Sequence, residues 1–296
     1  MSEAMAYKRS PLIPAVSCLR HGTSLLQAAG IDSAPLDARI LLLDVLQMTA
    51  EEWVAQPERL ISQDELQAYQ QLIDRRATRQ PVAQLIGRRE FWGLEFRVTA
   101  DTLDPRPDSE TLIETVLNLC SEREHAYTIL DMGTGTGCLL LSLLYEYPRA
   151  TGVGLDRSVA ALAVARHNAL QLELNSRAEF IHSHWDDYSA SGFDIVISNP
   201  PYIPTSGITS LAPEVSQYEP KIALDGGPDG LICYRQIFTL LPNLLKEEGI
   251  AIFEIGQGQA PLVSRLADDH GFTVEAITKD MQGIDRCIVC KPTTKD

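Results

Sequence analysis

Two short stretches of this chain carry residue types arranged for chemistry. The first is Asn199-Pro200-Pro201-Tyr202, directly after the apolar run Asp194–Ser198. An asparagine side chain offers both a carbonyl acceptor and an NH2 donor, whereas a proline has no N–H and exposes only its carbonyl. Two convergent acceptors, from Asn199 and Pro200, are what a planar –NH2 group needs if both its hydrogens are to be held. The nitrogen lone pair of such a group is delocalised into a carbonyl or ring. Fixing the nitrogen and aiming that lone pair at an electrophilic methyl group makes catalysis largely a matter of positioning. Pro201 continues the turn, and Tyr202 can stack on or pack against the planar group. Asn-Pro-Pro is also a plain turn sequence. Its place after a strand favours a site, because open α/β sheets bind ligands beyond the carboxyl ends of their strands.

The second stretch is Asp131-Met132-Gly133-Thr134-Gly135-Thr136-Gly137, between an apolar run and a helical one. Three glycines allow a tight turn in which no Cβ blocks a ligand at a helix N-terminus. The spacing is G-x-G-x-G, not the G-x-G-x-x-G of dinucleotide sites, and no Gly-Lys-Ser follows as in a phosphate loop. The next strand ends in Gly154-Leu155-Asp156, where an acid can accept both hydroxyls of a ribose. Turn and acid together point to a nucleoside-containing cofactor without a pyrophosphate, S-adenosylmethionine rather than NAD. Asp131 either orients the turn, meets the cofactor's ammonium, or merely caps the turn. His182 and His184 share a face if both lie on a strand, but no third ligand stands at useful spacing, and no metal is expected.

These residues need a scaffold, and the periodicity supplies one. Thr128–Met132, Thr151–Leu155, Ala178–His182, Asp194–Ser198 and Ile250–Ile255 read as strands, with helical runs around 138–147, 158–170 and 231–245. Gly271–Glu275 and Arg286–Cys290 read as two further edge strands. The alternation predicts an α/β fold, a mostly parallel sheet with helices on both faces. Ahead of it, residues 1–15 read as a loose tail and 17–78 as three or four short helices forming a small bundle, with Ser62 and Glu65 as a capping pair. Gln84–Ile86, Phe91–Phe96 and Val98 read as β-leaning pieces of a hairpin or connector. Asp108 or Ser109 is expected to cap a helix over 111–119.

Composition bounds the function. The 296 residues are 45% hydrophobic with a net charge of -15. Residues 1–105 hold 11 basic and 14 acidic groups, a net of -3, against 14 and 26, a net of -12, in the rest. Such a surface repels polyanions, so stable nucleic-acid binding is not expected. The six cysteines lie far apart or inside apolar runs, Cys287 and Cys290 among them, and read as buried thiols of a reducing compartment. Neither a membrane span nor a secretory signal is expected.

The two motifs identify a resemblance that extends over nearly the whole chain. The sequence resembles the class I (Rossmann-like) S-adenosylmethionine-dependent methyltransferases with an Asn-Pro-Pro-Tyr motif, and most closely the peptide chain release factor N5-glutamine methyltransferases. Further matching segments are Arg89-Glu90-Phe91-Trp92, Pro105-Arg106-Pro107-Asp108-Ser109-Glu110, Tyr218-Glu219-Pro220, Ala223-Leu224-Asp225-Gly226-Gly227 with Asp229-Gly230, and Phe253-Glu254-Ile255-Gly256. The resemblance implies that Gly133 to Gly137, Thr134 and Thr136 included, cradle the cofactor, that Asp156 binds its ribose and that Trp185 lies beside the adenine. Asn199 and Pro200 would hold a glutamine amide, with Pro201 and Tyr202 shaping its pocket. The implied substrate is the glutamine of the Gly-Gly-Gln loop in class 1 release factors, methylated at N5 by a monomeric cytoplasmic enzyme. Residues 1–86 would be a substrate-recognition domain, 87–105 a connector and 106–296 the methyltransferase domain. Asn-Pro-Pro-Tyr is shared with enzymes acting on a ribosomal-protein glutamine or on DNA adenine, and a binding module keeping only the fold is the non-enzymatic alternative. Two positions depart from the family pattern: Asp104 replaces an apolar residue, and His184 replaces an aspartate. Arg106 is expected to pair with a carboxylate in an interdomain wall, a substrate contact being the alternative. Glu254 is expected either to make local bonds or to serve catalysis.

Overall fold

A computed structural model describes residues 13–56 and 58–293, and the chain divides into two compact units, Met1–Ile86 and Gly87–Asp296. Residues 1–12 of the expected tail lie outside the described residues. Ile13 and Pro14 are not loose: this strand, β1 (Ile13–Pro14), pairs antiparallel with β2 (Leu60–Ile61).

The first unit is helical, with α1 (Ala15–Ala28), α2 (Ala34–Leu46), α3 (Ala50–Ala55), α4 (Gln63–Ala77) and α5 (Val82–Ile86). Their apolar stripes bury Leu26, Leu41, Leu42, Tyr69 and Ile73 in one cluster. The Ser62–Glu65 capping box forms: the Ser62 N–H donates to Glu65 Oε2 at 2.7 Å and the Glu65 N–H to Ser62 Oγ at 3.3 Å. Asp37 and Arg76 make a buried ion pair at 2.8 Å. Gln84–Ile86, expected to lean towards β, belongs to α5 instead. The Leu85 N–H donates to the Pro81 carbonyl at 3.1 Å, so a helical turn satisfies this backbone locally.

The second unit opens with a hairpin of β3 (Arg88–Phe91) and β4 (Leu94–Arg97). Trp92 and Gly93, at φ +54° and +69°, form its two-residue turn. A single 3-10 turn, Pro107–Ser109, leads into α6 (Glu110–Leu119). The expected Ser109 cap does not form: that residue is already helical and makes no capping bond, because its hydroxyl is engaged elsewhere.

Seven strands follow: β5 (Thr128–Met132), β6 (Thr151–Asp156), β7 (Ala178–His182), β8 (Phe193–Ser198), β9 (Leu245–Glu254), β10 (Phe272–Lys279) and β11 (Asp285–Pro292). They form one sheet in the order β10-β11-β9-β8-β5-β6-β7, parallel from β9 to β7 and antiparallel at the β11 and β10 edge. Alternate residues feed two cores. Ile129, Ile195, Ile197 and Ile252 face α6, α7 (Cys138–Glu146) and α8 (Val159–Gln171). Leu130, Val196, Ala251 and Phe253 face α10 (Ile232–Leu244) and α11 (Ala260–Asp269). The short α9 (Pro213–Ser216) precedes α10. Cys287 and Cys290 lie on opposite faces of β11, one in each core, and all six cysteines are free thiols. This is the mostly parallel, Rossmann-like sheet the sequence predicts, with α11 as a helix the periodicity had not marked. From β5 the chain builds β6 and β7 on one side and then returns to add β8 on the other. The switch point between β5 and β8 therefore opens a crevice at their carboxyl ends, where both motifs begin. No helix among the described residues is long and apolar enough to cross a membrane.

Candidate active site

The glycine turn leaves β5 and enters α7. Gly133, Gly135 and Gly137 have φ of +85°, +55° and +81°, left-handed conformations that side-chain-bearing residues rarely adopt. Their N–H groups turn back into the protein. Those of Gly133 and Thr134 donate to the Leu155 carbonyl at 2.8 and 2.9 Å, and that of Gly137 to the Thr134 carbonyl at 2.7 Å. The Gly135 N–H donates to Asp156 Oδ2 at 3.0 Å. A phosphate-binding loop needs free N–H groups aimed at its anion. Here four are spent on the fold, which suits a nucleoside ligand without pyrophosphate.

Asp156, at the end of β6, is half-buried and also accepts from the Ser158 N–H through Oδ1 at 2.8 Å. Both carboxylate oxygens are thus fixed in direction, and each keeps a lone pair for a hydroxyl. Gly133, Thr134, Gly135, Thr136, Asp156 and Trp185 line a cleft of about 410 Å³, a size that accommodates a small-molecule cofactor. Trp185 is half-buried, and a Cβ on Gly133 would stand 3.4 Å from its ring. His184 lies exposed on the same wall. Asp131 and Gly137 sit behind the wall. Asp131 accepts from Thr134 Oγ1 at 2.7 Å through one oxygen, while its other oxygen is buried without a partner. Burial pushes its carboxyl up to about 7, and the nearby Asp156 charge adds to the rise. A cationic ligand head group near this acid would relieve that cost.

The tetrad leaves β8 next to the turn. Asn199 borders both the cleft and a second cavity of about 190 Å³, lined with Pro200, Tyr202, Leu103, Arg106 and Glu254. Pro201 faces the larger cleft. Tyr202 is held by its hydroxyl, which donates to Glu254 Oε1 at 3.1 Å. Burial and the Glu254 charge raise its phenol far above the ordinary range, so it is no base at neutral pH. Ser109 Oγ donates to Glu254 Oε2 at 2.5 Å, and Asn199 Nδ2 donates to Ser109 Oγ at 3.2 Å. Gln259 braces the tetrad from below, its Nε2 donating to the Tyr202 carbonyl at 2.9 Å. The 223–230 loop is stitched on through Ile203 N–H to Leu224 O and Gly226 N–H to Ile203 O. No described protein group donates to Asn199 Oδ1 or to the Pro200 carbonyl, so both acceptors are available to a ligand.

Sequence reasoning read Ser109 as a helix cap, and it passed over Gln259. The segments Pro105–Glu110 and Phe253–Gly256 were visible as family matches, and they hold the two side chains that close this network. Arg106 does pair with a carboxylate, the buried Glu219, but both belong to the second unit, so that pair walls the cleft from within one unit. Burial pushes Glu219 up to about 7 against the pull of Arg106. Asp104 is buried with one oxygen unpartnered, its pKa raised by burial and partly restored by Arg106 and Arg89. His182 Nε2 contacts the Arg157 carbonyl, and no cluster of three metal-ligating side chains occurs among the described residues.

Comparison with known proteins places the chain in a family. Residues 17–87 match the family described as PrmC N-terminal domain, and residues 123–272 match a methyltransferase domain. A release factor glutamine methyltransferase of Rhodospirillum rubrum is 42% identical over 276 residues, covering 92% of this chain and 83% of that protein. Another, from Caulobacter vibrioides, is 42% identical over 265 residues, 89% of this chain and 91% of its own length. A methyltransferase structure from Pyrococcus furiosus, 14% identical, superposes with a TM-score of 0.51 over 75% of this chain and 99% of that one, a likeness of fold alone.

Proposed function

Since the chain belongs to the release factor glutamine methyltransferase family, we propose that its site transfers a methyl group to the N5 amide nitrogen of the glutamine in the Gly-Gly-Gln loop of class 1 release factors. S-adenosylmethionine is the cofactor and, when bound, would supply an electrophilic methyl group on a sulfonium, whose sulfur would keep the pair of the broken S–CH3 bond and leave as a neutral thioether. The observation that carries the reading is the place of Asn199, at the junction of a cofactor-sized cleft and a side-chain-sized cavity, with its amide oxygen unused by the protein.

The glycine turn and Asp156 would bind and orient the cofactor, with Trp185 beside its base. Asn199 Oδ1 and the Pro200 carbonyl accept the two hydrogens of the substrate amide. Held this way, the nitrogen presents its out-of-plane electron density to the methyl group instead of turning with its carbonyl. Tyr202 walls the amide pocket with its ring, its hydroxyl committed to Glu254. No base is needed in the tetrad, because the amide nitrogen becomes acidic as the new bond forms and its proton passes to water. Asp131 stays beneath the turn, bonded to Thr134, where a cofactor ammonium nearby would favour its ionised form.

The helical first unit serves recognition of the protein substrate, with the methyltransferase unit following the hairpin. The enzyme works as a monomer in the cytoplasm and binds no nucleic acid stably. The acidic balance and six free thiols support that setting. The test is incubation with labelled S-adenosylmethionine and, separately, a release factor, a ribosomal protein and DNA, with the label located by mass spectrometry. Label on the Gly-Gly-Gln glutamine amide is expected. Label confined to a ribosomal-protein glutamine or to adenine would replace the proposed substrate.

A further inference from the structure

We propose that Ser109 and Glu254 are positioning residues for methyl transfer, setting which end of the Asn199 amide faces the substrate. The inference rests on the role of Asn199 given above and adds the cause of its orientation. An asparagine amide turned by half a revolution exchanges an acceptor for a donor, and a donor facing the substrate –NH2 would repel it. Something must therefore hold the amide one way round.

The hydrogen-bond order supplies that hold. Glu254 ends β9, is 1% exposed and has two hydroxyls aimed at its carboxylate, Ser109 on Oε2 and Tyr202 on Oε1. An ionised carboxylate only accepts. Ser109 has a single hydroxyl hydrogen, and the 2.5 Å contact commits it to Glu254. Toward Asn199, at 3.2 Å, the Ser109 oxygen can then only accept. Asn199 must present its NH2 there, and its Oδ1 is left for the substrate. Ser109 is 3% exposed, so water cannot easily substitute for its hydroxyl. Burial raises the Glu254 carboxyl above its ordinary value against the pull of the two hydroxyls and the Arg286 guanidinium, and what fixes the order is the geometry, in which both Glu254 oxygens accept. Arg286 is itself anchored to Asp280 at 3.0 Å and Asp108 at 3.4 Å, and the Tyr234 hydroxyl holds the Glu254 backbone carbonyl at 2.7 Å. Glu254 touches neither acceptor offered to the substrate; it acts through Ser109 on Asn199.

A double-mutant cycle on the full-length enzyme tests this, with single-turnover methylation of a release factor at saturating cofactor as the rate. Ser109→Ala is expected to slow transfer about 10-fold, the equivalent of about 1.4 kcal/mol and of one oriented hydrogen bond. Cofactor Kd by calorimetry and the KM for the release factor should stay within about twofold, since the lost orientation acts on the chemical step. In an Asn199→Ala background the same substitution should change the rate less than about twofold, because the group it orients is gone. Glu254→Leu, close in size and without an acceptor for the Ser109 hydroxyl, gives a second entry to the cycle should Ser109→Ala fold poorly, with the same non-additivity expected. Undiminished transfer by folded Ser109→Ala, or losses that simply multiply with Asn199→Ala, would overturn the positioning role while leaving the site reading intact. A normal rate for Asn199→Ala itself would overturn both.

Discussion

The turn after β5 and the turn after β8 begin one strand apart in the same sheet, yet they are held in shape by different means. The glycine turn is held through its backbone N–H groups: three left-handed glycines, with four N–H groups bonded to the Leu155 carbonyl and Asp156 carboxylate of the adjacent β6 and to the Thr134 carbonyl. The tetrad is held by side chains distant in sequence, Ser109 from the start of α6, Glu254 from the end of β9 and Gln259 from the start of α11. A surface that grips a cofactor can be built from backbone N–H groups and one adjacent strand. A group that must present one atom in one orientation to a reacting nitrogen needs partners on several sides, and only distant elements can supply them. The division suggests that damage to the first turn will be read in affinity and damage to the second in rate.

The sharpest way to break that division is at Asn199. Asn199→Ala removes an acceptor and the orientation it imposes, and it should lower the single-turnover rate on the order of 100-fold or more while calorimetry finds cofactor affinity nearly unchanged. A loss expressed only in cofactor Kd would reverse the roles of the two turns.

Asp156→Ala probes the other side. Hydrogen bonds to a charged acceptor contribute about 1.5–3 kcal/mol, so cofactor Kd should rise about 10- to 150-fold with the rate at saturation largely kept. Because Asp156 also accepts from Gly135 and Ser158, Asp156→Asn should be milder in stability than alanine. An unchanged Kd for the folded alanine variant would remove Asp156 from the cofactor site.

The last probe, read in stability and not in function, lies beneath the glycine turn. The Asp131 carboxyl is pushed from 3.8 up to about 7 in the folded protein. Between those values the folded state keeps a proton that the unfolded chain has released, so stability falls as pH rises through this window. Denaturant unfolding of the cofactor-free enzyme at pH 5 and pH 7 should show a steeper fall for wild type than for Asp131→Asn, by about 1.4 kcal/mol per pH unit. Glu219, also raised to about 7, contributes with the same sign in both proteins and cancels from the difference. Equal slopes would mean that Asp131 is ionised in the folded turn.

Much of this was written along the chain. A central parallel strand covered on both faces reads as a mostly apolar run, as Thr128–Met132 does, and even the half-exposed edge strand Ala178–His182 could be bounded to the residue from the turn residues around it. Left-handed turns need glycine, so the cofactor loop announced itself, and the Asn199–Tyr202 run showed that two acceptors adjoin. The capping box at Ser62 was equally local. Where backbone bonds compete with propensity the reading slipped, as at Gln84–Ile86, where a helical turn won. Ser109 was legible as a residue fit for a cap but not as the neighbour of Glu254, because 145 residues separate them. Arg106 was legible as half of an ion pair, not as the partner of Glu219. The chemical groups, and the short loops that present them, can be read from the order of residues alone. Folding β8 beside β5 and β9 beside β8, with α6 seated against β9, sets which buried hydroxyl meets which buried carboxylate, and so which way the Asn199 amide points. Hydrogen-bond direction depends on what lies within about 3 Å in space, and separation along the chain carries no record of it.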